Sequence, residues 1–267
     1  MLGCQLDRRY VYFPAPWRDG DWKAVSGLPL EDVPLVTSDG VRLHAWYVDV
    51  PGSRATVLWC HGNAGNVIDR LDQLATWRRR ELSVLLIDYR GYGRSGGQPS
   101  EAGLYRDAME GYNYLIHTRR IPPKRIILYG QSLGAAVIGD VATHRPAAGL
   151  ILETPFPSIR AMVRAYYGAM PMHWLLEARY DLASRLAYVR MPVLVIHGDR
   201  DSIVPLALGQ QVFDAAREPK EFYLVAGADH NNVEAVGGLA YGERVMTFVR
   251  RVTPDPEPRG SGASPAP

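Results

Sequence analysis

The sequence predicts an α/β fold: a mostly parallel, eight-stranded sheet with helices on both faces and a small helical lid. Three observations predict it. From residue 55 onward, short apolar runs of strand length alternate with longer amphipathic segments, the pattern of parallel strands joined by crossover helices. Before that, two strand patterns flank Ser38-Asp39-Gly40, a hairpin signal, so one pair is antiparallel. Finally, an apolar run from Ile126 stops abruptly in Gly130-Gln131-Ser132-Leu133-Gly134 and a small-residue helix pattern follows, with Ala135, Ala136, Val137, Gly139, Val141 and Ala142.

In order along the chain, residues 1–32 form an extended lead-in rich in aromatics, Pro and Gly. Val33–Thr37 and Val41–Val48 are the hairpin strands, and Ala55–Cys60 is a fully apolar strand running into His61-Gly62-Asn63-Ala64-Gly65-Asn66. Ile68, Leu71, Leu74 and Ala75 mark a helix that Trp77-Arg78-Arg79-Arg80 closes. Val84–Ile87 is a buried strand ending in the glycine-dense loop 88–97, and Ser100 with Glu101 opens the next helix, whose inner face carries Leu104, Ala108, Gly111, Tyr112 and Leu115. After Pro122-Pro123 comes the strand that ends at Ser132, then its helix, then the short strand Gly149–Glu153. Residues 155–191 are a small helical insertion, rich in Met, Tyr and Trp, and form the lid. Pro192–Gly198 is a strand, Leu206–Arg217 a helix, Glu221–Val225 the last strand and Val233–Val252 the last helix. The Pro/Gly/Ser-rich tail 253–267 reads as disordered. No linker interrupts residues 33–252, so they are one domain, a size that 267 residues at 47% hydrophobic content can support.

Composition excludes several functions. A net charge of +2 provides no electrostatic footprint for nucleic acid. Two cysteines, Cys4 and Cys60, make neither a disulfide framework nor a cysteine metal site, and Cys60 reads as a buried free thiol. No histidine-carboxylate cluster has zinc-like spacing, so no metal is expected. No apolar run reaches the roughly 18 residues of a membrane span. Met1-Leu2-Gly3-Cys4 looks like the tail of a lipoprotein cleavage site without its hydrophobic region. The expectation is a cytoplasmic protein as the sequence stands, or a lipid- or membrane-anchored one if the N-terminus is truncated before Gly3-Cys4. Peripheral membrane association and oligomeric state stay open.

Gly130-Gln131-Ser132-Leu133-Gly134 is a G-x-S-x-G elbow in the strand-to-helix context that gives the motif meaning. The turn lifts the Ser132 hydroxyl above the sheet edge, and the helix N-terminus behind it favours developing negative charge. A serine nucleophile needs a base, and the base an orienting acid. Among seven histidines, His44 lies in a strand, His117 and His144 near helix ends, and His173 in the insertion; His61 and His197 each precede a glycine at a strand end and read as structural. His230 sits in a small-residue loop after the last strand, at the carboxyl edge where an open α/β sheet presents chemistry. Asp201 is the first candidate acid, with Asp199 and Glu153 as rivals. The oxyanion hole needs two backbone donors, and Leu133 with Asn63 are the candidates, Ala64 next.

Five motifs, HGNAGN at 61–66, DYRGYGRSGG at 88–97, YGQSLGAA at 129–136, VLVIHGDRDSIVP at 193–205 and GADHNN at 227–232, resemble the α/β-hydrolase superfamily in the right order. The resemblance is to the bud-emergence-protein group and the related α/β-hydrolase-domain depalmitoylases. It implies the α/β-hydrolase fold, Ser132 as nucleophile, Asp201 as acid, His230 as base, and chemistry on esters or thioesters without a cofactor. Many such proteins carry an N-terminal membrane anchor, for which the sequence as it stands shows no apolar run, so membrane attachment is not the first expectation; serine at the elbow argues against the dehalogenase branch. The expected function is a carboxylic ester hydrolase acting on a small-molecule ester or thioester through an acyl-enzyme. An acyl-protein thioesterase or a serine peptidase is the alternative, and a non-catalytic, membrane-associated interaction protein the rival from another class. Tyr167, Met170 and Trp174 in the insertion are candidates for an acyl pocket.

Overall fold

The computed structural model describes residues 7, 9–168 and 176–255. Its eight-stranded sheet comprises β1 (Leu30–Val36), β2 (Arg42–Val48), β3 (Thr56–Cys60), β4 (Ser83–Ile87), β5 (Ile126–Gln131), β6 (Gly149–Glu153), β7 (Val193–Gly198) and β8 (Lys220–Val225). They lie in the order β8-β7-β6-β5-β3-β4-β2-β1, and β2 alone runs against its neighbours. The helices are α1 (Trp22–Ser26), α2 (Leu71–Arg79), α3 (Glu101–Asn113), α4 (Leu133–His144), α5 (Ile159–Tyr167), α6 (Leu182–Leu186), α7 (Leu206–Ala215) and α8 (Val233–Val252).

The central strands read as continuous apolar runs because both faces are covered. Leu58 and Cys60 of β3 and Leu85 and Ile87 of β4 face one core, which α3, α4, α6 and α7 close with Leu104, Val137, Leu182 and Val212. The alternate residues Val57, Trp59, Val84 and Leu86 face the other, closed by Leu74 and Trp77 of α2 and Val245 and Phe248 of α8. Ser100 caps α3 by accepting the Gly103 N–H.

The strands and main helices match the sequence reading to within a few residues at their ends. The lead-in differs. It is not extended throughout: Asp21 caps the short helix α1, and β1 begins at Leu30 because Leu30 and Glu31 find ladder partners in Val48 and Tyr47 of β2. Upstream, Phe13 and Pro14 pair in parallel with Ala64 and Gly65, which lays the N-terminal segment across the loop after β3. Among the described residues, no helix is long and apolar enough to cross a membrane. Cys60 is a buried free thiol. Cys4, most of the tail, Met170 and Trp174 lie outside the described residues.

Candidate active site

Parallel strands put the loops that follow them at one edge of the sheet. The elbow after β5, the loop after β3, the loop 199–205 after β7 and the loop 226–232 after β8 all meet there. Ser132 holds φ 53° and ψ −116°, a strained conformation for a residue with a Cβ. It is held by a hydrogen bond from its own N–H to the Glu153 carbonyl (2.9 Å) and by the Ala135 N–H on its carbonyl (3.0 Å).

Two glycines make this turn feasible. A Cβ on Gly134 would lie 2.0 Å from the Cys60 carbonyl oxygen, and one on Gly130 would lie 2.3 Å from the Gly134 oxygen. Both obstacles are backbone, so neither can swing aside. Gly134→Ala is therefore expected to destabilise the fold by about 3 kcal/mol or more, the upper end for overpacking. Urea denaturation measures this, and an unchanged midpoint would show that α4 and β3 are not in rigid contact.

His230 is buried, and its Nδ1–H donates to Asp201 Oδ2 at 2.8 Å. Asp201 is in turn held by its own loop, since Oδ1 accepts the N–H groups of Ile203 (2.9 Å) and Val204 (2.7 Å). His197 Nε2 lies 3.4 Å from Oδ2 and donates to the Val204 carbonyl (2.9 Å). Burial holds the His197 pKa below the ordinary imidazole value. The two rivals for the acid are occupied elsewhere. Asp199 is exposed and accepts the Gly227 N–H (2.6 Å). Glu153 is enclosed beneath the elbow, taking the Tyr241 hydroxyl on Oε2 and Gln131 Nε2 on Oε1 (3.2 Å). Burial pushes its carboxyl up to about 7 against the lowering effect of the Tyr241 bond.

Leu133 opens α4, so its N–H has no carbonyl one turn back to bond. On the other side, His61 Nδ1–H donates to the Gly62 carbonyl (2.7 Å), fixing the planar peptide whose opposite edge carries the Asn63 N–H. The Asn63 carbonyl is fixed separately by the Phe13 N–H (3.0 Å) and the Tyr92 hydroxyl (2.8 Å).

Ser132, Leu133, Asn63 and His230 border one cavity of about 360 Å³, with Asp201 behind His230. Tyr167 of α5 borders it too and is half exposed. Among its residues, Tyr10, Val11 and Arg70 are not candidates on sequence grounds, whereas Tyr166 belongs to the Tyr- and Met-rich insertion that the sequence offers for the pocket. Tyr10 and Val11 come from the N-terminal segment, and Arg70 follows the loop after β3. Tyr166 borders the cavity and donates its hydroxyl to the Ser202 and Ile203 carbonyls (3.0 and 2.6 Å), tying α5 to the loop of Asp201. Asp229 accepts the N–H groups of Ser202 and His230, both at 2.7 Å, clipping two loops together; the Ser202 N–H holds its carboxyl below the usual range. Asp7 accepts the N–H groups of Glu177 (3.1 Å) and Ala178 (2.8 Å), so the N-terminal segment also braces the far end of the insertion. Asp229 lies in the GADHNN motif, yet its bond to Ser202, like those of Asp7 to the insertion and of Tyr166 to the loop of Asp201, joins segments distant in sequence and leaves no local pattern.

A fold with a serine-bearing elbow and a His–Asp pair at the carboxyl edge of its sheet defines a broad class, and comparison with known proteins agrees. The family model described as serine aminopeptidase, S33, matches residues 51–180. The alpha/beta hydrolase domain-containing protein WAV2 of Arabidopsis thaliana is 30% identical over 253 residues, covering 87% of this chain and 82% of WAV2. The chain belongs to the α/β-hydrolase superfamily. Within it, the chain is similar to protein Rv2307c of Mycobacterium tuberculosis, at 40% identity over 245 residues, 91% of this chain and 86% of that one. Its backbone also matches the Pyrococcus furiosus esterase Pf2001 with a TM-score of 0.73 over 92% of this chain and 99% of that one, at 21% identity, a likeness of fold.

Proposed function

We propose that the protein is a serine hydrolase of carboxylic esters. The observation that carries this reading is the 2.8 Å bond from His230 to Asp201 behind a cavity that Ser132 borders from a strained turn. In this reading the Ser132 oxygen bonds to the acyl carbon as His230 takes its proton. The carbonyl oxygen becomes an oxyanion held by the N–H groups of Leu133 and Asn63. The tetrahedral intermediate collapses, the ester C–O bond breaks, and His230 returns the proton to the departing alcohol. Water then attacks the acyl-enzyme, giving a proton to His230 that passes to Ser132 as the acid leaves. Asp201 holds the imidazole in the tautomer that accepts at Nε2 and stabilises it when charged. The resemblance to the bud-emergence and depalmitoylase groups keeps thioesters within reach of the same chemistry. Labelling of Ser132 by a phosphonylating probe, with p-nitrophenyl ester turnover, tests the reading; a folded protein that does neither refutes it.

Residues 155–191 act, in this proposal, as a small lid whose α5 forms one wall of the acyl pocket. Ile159, Met162 and Tyr167 of α5 border the cavity, and methionine with aromatic residues makes a deformable apolar wall. A volume of about 360 Å³ is at the low end for ligand pockets, so short and medium acyl esters are expected to outperform long-chain triglycerides. Each methylene accommodated adds up to ~0.8 kcal/mol until the pocket is full. The measurement is kcat/KM across p-nitrophenyl esters of rising chain length, for the parent and Tyr167→Ala. A long-chain optimum in the parent contradicts the small pocket, and an unchanged profile in the variant removes Tyr167 from its wall.

A further inference from the structure

Arg70 contributes a cation to the cavity that forms no ion pair with a carboxylate among the described residues. It ends the single-turn 3₁₀ helix Val67–Arg70 and borders the same cavity as Ser132. One NH2 proton goes to the Ala64 carbonyl at 2.9 Å, NH1 makes a long 3.5 Å contact with the Asp69 carbonyl, and Nε is buried without an acceptor. Its neighbour Asp69 is paired instead with Arg18 at 2.7 Å. Other enclosed arginines each hold a carboxylate: Arg90 has Asp39 and Asp107, Arg80 has Glu234, and Arg185 has Asp140. Among the described residues that border the cavity there is no aspartate or glutamate, and Arg70 is the one arginine or lysine.

A guanidinium presents five donors in a planar fork that suits a carboxylate or phosphate, and it is weakly hydrated enough to meet one in an enclosed site. We propose that Arg70 is an anion subsite, so that the substrate is an ester bearing a carboxylate or a phosphate on its alcohol portion. The inference rests on the serine-hydrolase reading of the same cavity. The apolar side chains of α5, Ile159, Met162 and Val163, are matched to the acyl chain. The charged corner at Arg70, joined through Ala64 to the loop of Asn63, is then left for the alcohol.

The test uses matched ester pairs. One is 4-carboxyphenyl butyrate against 4-carbamoylphenyl butyrate; the other is 1-butyrylglycerol 3-phosphate against monobutyrin. In the parent, kcat/KM for the charged member is expected to exceed the neutral one by about tenfold or more, the scale of one charge-assisted contact. Whichever pair shows the preference tells carboxylate from phosphate. Arg70→Gln is expected to bring that ratio close to one and Arg70→Lys to keep part of it. The readout is the ratio within a pair, which a general loss through the Ala64 contact leaves unmoved. No preference in the parent, or an unchanged ratio in Arg70→Gln, overturns the proposal and leaves Arg70 as a brace for the loop. Calorimetric binding of 4-carboxyphenyl butyrate to Ser132→Ala protein, with and without Arg70→Gln, reads the subsite without turnover; equal affinities overturn it as well. Absence of hydrolysis for all four esters, by contrast, counts against the serine-hydrolase reading, and the binding comparison then still decides the role of Arg70.

Discussion

Ser132→Ala is expected to abolish ester hydrolysis, with kcat lower by on the order of 10⁴-fold or more, while the protein stays folded. The substitution removes the hydroxyl and little else. Alanine keeps the Cβ, so the strain at φ 53° is the same in both proteins, and the backbone bonds to Glu153 and Ala135 do not involve the side chain. Any residual rate comes from the backbone donors and from binding, which survive the change. Matching denaturation midpoints with full loss of turnover and of phosphonate labelling is the expected result. Substantial turnover by a folded Ser132→Ala protein would remove Ser132 from the chemistry.

Asp201→Asn is expected to cost on the order of 10⁴-fold in kcat, far more than Asp199→Asn or Glu153→Gln. The local hydrogen bonds say why. The new amide oxygen would take the place of Oδ1, where the Ile203 and Val204 N–H groups demand an acceptor. The amide NH2 would then face His230 Nδ1 and donate to it. That places the imidazole proton on Nε2, and a protonated Nε2 cannot take the serine proton. Asp199 is exposed and bonded to Gly227, so its amide variant leaves His230 undisturbed. Glu153 lies under the elbow rather than against His230 Nδ1, and with a carboxyl pKa near 7 it would be only partly ionised at neutral pH. The ranking of the three variants by kcat at constant pH is the test. A larger loss in Glu153→Gln than in Asp201→Asn would move the acid to the end of β6.

Much of this site was legible before any coordinates. The elbow announces itself because a strand must become a helix within a few residues, which limits composition at Gly130 and Gly134 to residues without a Cβ. His230 could be separated from the other histidines because position in an α/β chain is also position in space, since loops after parallel strands share an edge. The same reasoning placed Asp201, Asp199 and Glu153 together, since all three follow strands that end at that edge, and put Asp201 first through its loop position and the family resemblance, without showing the bond itself. The choice depends on side-chain direction within a loop of a few residues.

Locally periodic patterns and turn chemistry therefore determined the sheet, its hairpin, its covering helices and the short list of candidate reacting groups. These depend on residues near one another in the chain, whose spacing is visible in the sequence. Tertiary structure alone decided that Asp201 bonds His230, that Tyr10 and Val11 return to the cavity, and that Arg70 stands in it without a carboxylate partner among the described residues. Each of those depends on contacts between segments distant in sequence, brought together when the two sides of the sheet bury their apolar faces. No local pattern encodes which polar groups such a closure leaves paired and which it leaves open to a ligand.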